Sequence, residues 1–479
     1  MSGPVAGGGV DAGAGAGPGA AGVDVDVDVD PGADVRAGGL VGDGPDVCVV
    51  GLGKLGLPLA VQFALKGHRV TGADIAPRVV ASVNQGVPPF PREEGLDEAL
   101  KRVVAEGRLR ATTDTTAAVA AAHAVVLVVP LVTAADGTPD FALLDAATDA
   151  VAAGLRRGTL VSYETTLPVG TTRGRWAPRL VAGSGLAAGT DFALVFSPER
   201  VRTGRVFADL RRYPKLVGGL DASSVRRGAE FYRAVLDFDP RPDLPRPNGV
   251  WELASLEAAE FAKLAETTYR DVNIALANQF ARYADRVGVD FAEVADACNS
   301  QPYSHLHRPG IAVGGHCIPV YPRLYLWNDP AATVVRAARE ANLEVPGYAV
   351  GVLAGALAGE LPGGIAGRGV LVLGASYRGG VKETAYSGVF PLVAALEAAG
   401  ARPYVADPLY RAAELTALGL PPYGGEPVVA AVLQADHPEY RELEPADLPG
   451  VRVLLDGRRC TDPARWAGAG VRRIVLGGA

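Results

Sequence analysis

The stretch that decides the fold is Val47-Cys48-Val49-Val50-Gly51-Leu52-Gly53-Lys54-Leu55-Gly56, in which an apolar run meets three spaced glycines. Four consecutive apolar residues predict a buried strand. The chain from Pro58 to Leu65 is predicted to be a helix, with proline in its first turn and Gly67 after its end. A second strand is predicted from Val70 to Ala73, and Asp74 follows it. Strand, glycine triplet, helix, strand and acid in this order indicate a dinucleotide-binding fold.

Each glycine of this turn has a separate predicted role. Gly51 makes the tight turn, Gly53 lets a pyrophosphate approach the backbone, and Gly56 lets the helix pack on the strand. Backbone N–H groups at the start of the helix would hold the phosphates. Asp74 can accept hydrogen bonds from both ribose hydroxyls, and its charge would repel a 2′-phosphate. The sequence therefore predicts NAD rather than NADP, although Arg78 lies close enough in sequence to weaken that preference.

Polar loops follow two later strands of the same predicted sheet. They are Glu164-Thr165-Thr166-Leu167-Pro168-Val169-Gly170 and Ser197-Pro198-Glu199-Arg200-Val201. Ligands of an open parallel sheet gather at the carboxyl ends of its strands. Thr166 and Glu199 are therefore candidate site residues by position, although isolated residues of these types more often form turns or caps.

A long helix is predicted from Trp251 to Val287. Lys263 and Thr267 are four residues apart and share one face, which Arg270 continues. This face is either a solvated charged surface or the wall of a cleft between two nucleotide folds. In the second case it brings a cationic lysine to a ligand, and the helix could also serve as a dimer contact.

The chain then reaches Gly314-Gly315-His316-Cys317-Ile318-Pro319. Glycine lets backbone approach a ligand without a Cβ in the way, and proline prevents a helix across the site. A thiol on such a loop can be presented to a ligand as a nucleophile. Because cysteine is also a common small core residue, the stretch by itself leaves both interpretations of Cys317 open.

A second α/β unit begins at Gly369, and its first loop carries Tyr377 and Arg378, which suit a second nucleotide. The predicted fold class is α/β, with two Rossmann-like doubly wound domains joined by the long central helix. The predicted divisions are a disordered low-complexity tail over residues 1–44, an NAD-binding domain over 45–218, a central helical domain over 219–345 and a C-terminal domain over 346–479.

Composition limits the cellular setting. The chain has 479 residues and a net charge of −7, so it has no global attraction to nucleic acid or to an anionic membrane. The four cysteines include no C-x-x-C pair, which predicts neither a metal site nor a disulfide framework. No secretory signal is seen at the N-terminus. The sequence therefore predicts a cytoplasmic protein without a metal, a membrane span or a nucleic-acid partner.

Taken together, these stretches resemble the UDP-glucose/GDP-mannose dehydrogenase family of nucleotide-sugar dehydrogenases. The motifs that carry the resemblance, in this order, are Gly51–Gly56, Thr165–Gly170, Ser197–Val201, Glu260–Asn273 and Gly314–Pro319. The last two look most like the branch acting on UDP-N-acetylhexosamines. The resemblance implies a homodimer whose C-terminal domain binds a UDP-sugar. It also implies oxidation of the sugar C6 hydroxyl to a carboxylate with two NAD, which would make precursors for polysaccharides or glycoconjugates.

The resemblance also implies a role for each candidate residue. Cys317 would attack the aldehyde formed by the first hydride transfer, and a second transfer would give a thioester. Glu199 would activate water, Lys263 would steady the developing oxyanion, and Thr166 would position the water or the cofactor. Thr165 would join Asp74 and the glycines at the cofactor. The residues expected at the sugar nucleotide are Arg200, Arg270, Gly314, Gly315, His316 and Arg378.

Four departures from the family pattern bear on these roles. The family usually has asparagine at Thr267, aspartate at Tyr321, a Thr-Pro pair at Leu131-Val132, and at Ala385 an arginine that reaches the cofactor. Thr267 keeps a hydroxyl and remains a catalytic candidate, and Tyr321 can donate a hydrogen bond. Activity is therefore expected.

Two other functions are consistent with parts of the sequence. One is a degenerate family member that binds NAD and a UDP-sugar without turnover, and the four departures favour it. The other is a hydroxyacid dehydrogenase of the 6-phosphogluconate type. That class transfers one hydride and needs no cysteine, so the loop around Cys317 argues against it.

Overall fold

The computed structural model describes residues 46–90, 93–134 and 136–478. The predicted disordered tail over residues 1–44 lies outside this part of the chain. The described residues form two open α/β sheets, with two long helices between them in the sequence.

The first sheet has eight strands. They are β1 (Val47–Val50), β2 (Val70–Ala73), β3 (Leu109–Thr112), β4 (Ala124–Leu127), β7 (Leu160–Tyr163), β8 (Ala193–Phe196), β9 (Lys215–Gly219) and β10 (Val250–Leu253), while β5 (Val132–Thr133) and β6 (Pro139–Asp140) form a separate antiparallel pair. The spatial order is β10-β9-β8-β7-β4-β1-β2-β3. The strands from β8 to β3 in this order are parallel, and β9 turns the direction by pairing antiparallel with β8. Because the chain order reverses at β1 and β4, a crevice for a ligand is expected at their carboxyl ends.

Helices cover both faces of this sheet. They are α1 (Gly56–Leu65), α2 (Pro77–Asn84), α3 (Leu96–Ala105), α4 (Thr115–Ala120), α5 (Ala142–Gly154), α6 (Ala177–Ser184), α7 (Val206–Arg212) and α8 (Ala222–Val235), with a π-helical turn at Thr172–Trp176. Strand alternation divides the core between the faces. Val47 and Val49 pack in one cluster, whereas Cys48 and Val50 pack in the other. The thiol of Cys48 is therefore a core group.

Two long helices follow the first sheet. They are α9 (Leu256–Val287) and α12 (Thr333–Glu360), and the shorter α10 (Phe291–Asn299) and α11 (Tyr321–Asn328) lie between them. The prediction of a helix from Trp251 is wrong, because Trp251 to Leu253 form the edge strand β10 and pair with β9. The helix begins after Ser255, whose hydroxyl accepts the N–H of Ala258 at 3.1 Å.

The two long helices are joined by buried polar contacts. Arg339 of α12 lies 2.6 Å from the Asp271 carboxylate of α9, and the Asn342 side chain bonds both Asp271 and Asn278. Among the described residues, α12 alone has the length and composition of a membrane span. Its side chains from Val345 to Leu357 belong, however, to the apolar core of the second sheet, as in a core helix.

The second sheet has five parallel strands in the order β12-β11-β13-β14-β15. They are β11 (Gly369–Leu373), β12 (Arg402–Ala406), β13 (Ala430–Leu433), β14 (Val453–Asp456) and β15 (Arg472–Ile474); the helices are α13 (Val389–Ala398), α14 (Ala412–Ala417), α15 (Pro438–Arg441) and α16 (Pro463–Trp466), with a 3₁₀ turn at Pro445–Asp447. The predicted fold class is confirmed. The predicted boundary at residue 218 falls inside β9, and the one at residue 345 falls inside α12.

Candidate active site

The glycine-rich turn between β1 and α1 leaves room for a ligand at one of its three glycines. A Cβ at Gly51, whose φ is +92°, would lie 2.9 Å from the Val128 carbonyl oxygen. A Cβ at Gly56 would lie 1.8 Å from the Gly51 carbonyl oxygen. At Gly53, a Cβ would meet no atom of the described residues within 4 Å. The fold therefore requires the first and third glycines, and the second faces open space that a pyrophosphate can enter.

Asp74, at the end of β2, accepts backbone hydrogen bonds from the glycine-rich turn and from the residues that follow β2. One carboxylate oxygen accepts the N–H of Leu52 at 2.9 Å, and the other accepts the N–H of Ala76 at 2.9 Å. Each oxygen keeps a second lone pair for a ribose hydroxyl. The turn and Asp74 together fit the dinucleotide that the sequence predicts.

The loop after β7 is anchored by α9. Glu260 is fully buried, and its carboxylate accepts the N–H of Gly170 at 2.6 Å and that of Thr172 at 2.9 Å. Burial raises the pKa of Glu260 to about 7, although these two hydrogen bonds oppose the rise. In the same loop, the Thr165 hydroxyl donates to the Val129 carbonyl oxygen at 2.6 Å. Thr165 thus links the loops that follow β7 and β4.

A buried ion pair supports the neighbouring loops. The Glu164 carboxylate lies 2.6 Å from Lys215 Nζ and accepts the Tyr232 hydroxyl at 2.6 Å. Burial raises the pKa of Glu164, and the Lys215 cation opposes that rise. The N–H of Glu199 donates to the Glu164 carbonyl oxygen at 3.2 Å. The ion pair therefore lies directly behind the loop that carries Glu199.

One carboxylate oxygen of Glu199 accepts two backbone hydrogen bonds, and the other has no hydrogen-bond partner among the described residues. Its Oε1 accepts the N–H of Arg200 at 2.6 Å and that of Val201 at 2.8 Å. Its Oε2 is buried without a hydrogen-bond partner among the described residues. Because burial of an unpartnered carboxylate oxygen is costly, this atom indicates a site for a water or a ligand hydroxyl.

Lys263 is a buried cation that lies near Tyr321. Its Nζ lies 3.5 Å from Glu266 Oε1 and 5.8 Å from the centre of the Tyr321 ring. Arg200 occupies the other oxygen of Glu266 at 2.9 Å. The Thr267 hydroxyl donates to the Lys263 carbonyl oxygen at 2.9 Å, so it keeps only acceptor capacity for a ligand.

The cysteine loop is shaped by the loop after β11. A Cβ at Gly314 would lie 2.7 Å from Tyr377 Cβ, and one at Gly315 would lie 3.2 Å from the Tyr377 ring. Gly315 has a φ of +92°, and its N–H donates to the Ala385 carbonyl oxygen at 2.9 Å. The space that the two glycines open is thus occupied by an aromatic ring of the same chain. Cys317 follows them as a partly exposed free thiol.

Glu383 joins the cysteine loop to the cofactor loop. Its Oε2 pairs with Lys54 Nζ of the glycine-rich turn and lies 3.4 Å from His316 Nε2. Burial acts to raise the pKa of Glu383, but Lys54 and His316 outweigh it and the pKa lies below its usual value. Three segments that are far apart in the sequence therefore meet at one carboxylate.

Tyr321 lies where the candidate catalytic groups converge. Its hydroxyl is beside the side chains of Thr166 and Cys317, and the Glu199 carboxylate is close enough to act on it electrostatically. Its N–H donates to the Cys317 carbonyl oxygen at 2.9 Å, so the two side chains are one helical turn apart on one face. Burial raises the pKa of Tyr321 well above its usual value. With the Lys263 cation over its ring, Tyr321 lies among groups from the loops after β7 and β8, from α9 and from the cysteine loop.

Comparison with known proteins agrees with this geometry. Residues 45–236 match the NAD binding domain of the UDP-glucose/GDP-mannose dehydrogenase family, and residues 257–344 match its central domain. The chain belongs to this family. It is an NAD-dependent nucleotide-sugar dehydrogenase, as the sequence predicts.

Individual relatives cover almost the whole chain. UDP-N-acetyl-D-mannosamine dehydrogenase of Pyrococcus horikoshii is 33% identical over 416 residues, which are 86% of this chain and 95% of that protein. A solved structure of UDP-D-ManNAc dehydrogenase from the same organism aligns with a TM-score of 0.79 at 31% identity, covering 90% of this chain and 99% of the other. A UDP-glucose dehydrogenase from Pyrobaculum islandicum aligns with a TM-score of 0.75 at 28% identity, covering 91% and 98%.

Within this family fold, the charged residues predicted at the sugar nucleotide lie in three different places. Arg378 donates to the Thr203 carbonyl oxygen at 3.2 Å, and His316 contacts Glu383, so both lie where the two sheet domains meet. Arg200 is held by Glu266. Arg270 lies on the exposed face of α9, near His307, and the contacts described for it do not include the groups around Tyr321.

Several residues that build the site are not singled out by the sequence. Lys54 lies inside the glycine motif, but its pairing with Glu383 joins residues 329 positions apart. Glu164 directly follows a strand, which is a positional signal, yet its partner Lys215 has none. Glu260 lies inside a family motif without a predicted role of its own.

Proposed function

We propose that the chain oxidises the C6 hydroxyl of a UDP-N-acetylhexosamine, or of UDP-glucose, to a carboxylate through a thioester on Cys317. The observation that carries the proposal is the convergence of Cys317, Thr166, Glu199 and Lys263 around Tyr321. The relatives whose names include UDP-N-acetyl-D-mannosamine dehydrogenase support an acetylated amino sugar as the first substrate to test. The product would serve as a precursor of a polysaccharide or glycoconjugate.

NAD⁺, when bound at the glycine-rich turn, supplies a hydride acceptor for each of the two oxidations. Gly53 leaves space for its pyrophosphate, and Asp74 has lone pairs for its ribose. Thr165 holds the adjoining loops in place. These residues are the ones that we propose hold the cofactor.

Between the two oxidations, Cys317 loses its thiol proton to solvent, and its sulfur adds to the C6 aldehyde to form a carbon–sulfur bond. The carbonyl oxygen becomes an oxyanion, and the buried ammonium of Lys263 offsets its charge. Oxidation of this thiohemiacetal gives a thioester, which cannot diffuse away as the free aldehyde could. The covalent bond is the chemical reason for a cysteine at this position.

Hydrolysis then needs a base beside the thioester. The unpartnered Oε2 of Glu199 can accept a proton from a water molecule, while Oε1 stays fixed by two backbone N–H groups. The hydroxide adds to the acyl carbon, the carbon–sulfur bond breaks and the thiolate of Cys317 leaves. In total the alcohol loses four electrons, one water is consumed and the carboxylate is released.

The first experiment is an assay of the whole chain with NAD⁺ and a panel of UDP-sugars that includes UDP-N-acetylmannosamine and UDP-glucose. We expect two NADH for each uronate formed with at least one sugar. Cys317→Ser should lower complete turnover by about 1000-fold or more, because the thioester cannot form. Cys298→Ser is the matched control, since Cys298 is a partly exposed thiol on α10.

Three results would contradict the proposal. Normal uronate output from Cys317→Ser would exclude the thioester route. One NADH per product would indicate a simple alcohol dehydrogenase. Binding of NAD and a UDP-sugar without any NADH would instead support a degenerate family member, the alternative that the four departures at Thr267, Tyr321, Leu131-Val132 and Ala385 favour.

A homodimer is the assembly that we propose. Large apolar side chains are exposed along one stripe of α9, at Tyr269, Leu276, Phe280, Tyr283 and Val287. Their spacing of seven, four, three and four residues places them on one face of the helix. An exposed apolar stripe of this length supports an interface with a second copy of the chain.

We also propose a cytoplasmic location. All four cysteines lie within the described residues and are free thiols. A reducing compartment is consistent with that state.

A further inference from the structure

Position 321 places a phenol on the same helical face as the proposed nucleophile. The Tyr321 N–H donates to the Cys317 carbonyl oxygen at 2.9 Å, and α11 begins at this residue. Residues four apart in a helical turn are neighbours, and the hydroxyl of Tyr321 is within hydrogen-bonding reach of the Cys317 side chain. The phenol also lies beside Thr166, which is buried in the loop after β7.

We propose that Tyr321 is a positioning residue for Cys317, and that its neutral hydroxyl donates a hydrogen bond to the sulfur when the sulfur is a thiolate. Thr166 donates to the same phenol oxygen and orients it. The inference deepens the proposed function and rests on it only in naming Cys317 as the nucleophile.

Burial keeps the hydroxyl of Tyr321 protonated, so that it can donate a hydrogen bond. Burial raises the pKa of Tyr321, so the phenol keeps its proton at neutral pH. A buried O–H that donates to an anion stabilises the charged form of its partner. A carboxylate at this position would instead repel a thiolate. The phenol therefore favours a reactive sulfur without placing a second negative charge beside it.

Charged groups from several elements face Tyr321 and the cysteine loop. The Nζ of Lys263 on α9 lies 5.8 Å from the centre of the Tyr321 ring and 3.5 Å from Glu266. Glu199, which follows β8, acts electrostatically on Tyr321. His316 precedes the cysteine and is paired with Glu383. Since substitution of Tyr321 leaves all of these in place, a change in sulfur reactivity in a Tyr321 variant reports on the phenol.

The test measures the alkylation of Cys317 by iodoacetamide as a function of pH, with peptide mass spectrometry to separate the cysteines. In Tyr321→Phe the midpoint of the rate profile should move upward by about one pH unit, with alkylation at pH 7.5 slower by about three- to tenfold. In Tyr321→Asp the midpoint should move further in the same direction. Tyr325→Phe is the matched control, because Tyr325 lies one turn further along α11 and stacks on Phe261.

Two internal standards keep the result interpretable. Cys298 is partly exposed and should react equally in all variants, whereas Cys48 is fully buried and would react only if a variant unfolded. An unchanged Cys317 profile in folded Tyr321→Phe, or a downward shift in Tyr321→Asp, would overturn the inference. The assay uses no sugar, so its result stands apart from NADH formation. A shifted profile without NADH would reject the proposed oxidation and keep the role of Tyr321.

Discussion

At the scale of single residues, burial and hydrogen bonding divide the carboxylates near the site into different kinds. Glu260 is buried beneath the loop after β7, and burial raises its pKa to about 7. Glu383 faces Lys54 and His316, and its pKa is lowered. Glu199 keeps one buried oxygen without a partner among the described residues. Glutamate therefore supports a loop at position 260, joins two domains at position 383 and, in our proposal, acts as a base at position 199.

Glu260 makes the stability of the chain depend on pH. Its folded-state pKa of about 7 lies above the ordinary value of 4.5, so the folded state binds this proton more tightly than the unfolded state. Its contribution is complete below pH 4.5 and is lost as pH rises through 7. That loss is about 3 kcal/mol. The melting temperature should therefore fall between pH 5 and pH 8, and Glu260→Gln should reduce this fall.

The control for this experiment is Glu230→Gln, at an exposed position of α8. Thermal melts of both variants at pH 5 and pH 8 separate Glu260 from other titrating groups. An equal fall in the two variants would show that Glu260 is charged in the folded state at both pH values.

At the scale of elements, the turn between β1 and α1 has glycine at Gly56 and at Gly53 for two different reasons. Gly56 is needed because a Cβ would collide with the Gly51 carbonyl oxygen of the same turn. Gly53 has free space at its Cβ and a backbone outside the left-handed region. Packing within the turn accounts for Gly56. No packing requirement accounts for Gly53, and we propose that the pyrophosphate of NAD⁺ does.

Alanine substitution separates the two demands. Gly53→Ala should leave the melting temperature without cofactor unchanged and raise the Kd for NAD⁺ by about tenfold or more, which corresponds to about 1.4 kcal/mol. Gly56→Ala should destabilise the chain by about 1–3 kcal/mol even without NAD⁺, because backbone must move. Calorimetric titration and thermal melts give both quantities. Normal NAD⁺ affinity in Gly53→Ala would place the pyrophosphate elsewhere.

At the scale of the whole molecule, the helix α9 has a buried face that packs within the chain and an exposed apolar face. Its buried face carries Glu260, Lys263 and Asp271 toward the first sheet, the site and α12. Its exposed face carries the apolar stripe from Tyr269 to Val287. The candidate Lys263 and the proposed interface are thus on opposite faces of one helix.

The stripe predicts how the assembly responds to charge. The double variant Leu276→Glu, Tyr283→Glu places two carboxylates in the proposed interface, and we expect the mass in solution to fall from that of a dimer to that of a monomer. Leu65→Glu is the control, because Leu65 is an exposed apolar residue on α1. Sedimentation equilibrium of both proteins measures the outcome. A dimer that persists in the double variant would place the interface on another surface.

The first two strands could be predicted closely because each is a short apolar run that ends at a glycine or an acid. Val47 to Val50 and Val70 to Ala73 agree with the structure at both ends. The start of α9 could not be placed by periodicity, since Trp251 to Leu253 fit either a helix or an edge strand. The N-cap Ser255 was the available signal.

The candidate site was predictable in its loops but not in its contacts. Parallel strands bring their carboxyl ends together, which accounts for Thr166 and Glu199. The sequence did not reveal that Tyr321 would face both of them, because side-chain direction depends on the turn that α11 makes after Cys317. Nor did it reveal the ring of Tyr377 against Gly314 and Gly315.

The contact between the Tyr377 ring and the cysteine loop limits which segments can be exchanged between related dehydrogenases. Gly314 and Gly315 hold the cysteine loop in a shape that matches Tyr377, which lies in the other sheet domain. A chimaera whose crossover falls between the two loops would combine the cysteine loop of one relative with the Tyr377 loop of another, and the two would not fit. Crossovers that keep residues 314–388 together avoid this mismatch, so the cysteine loop and the Tyr377 loop are best transplanted as a single block.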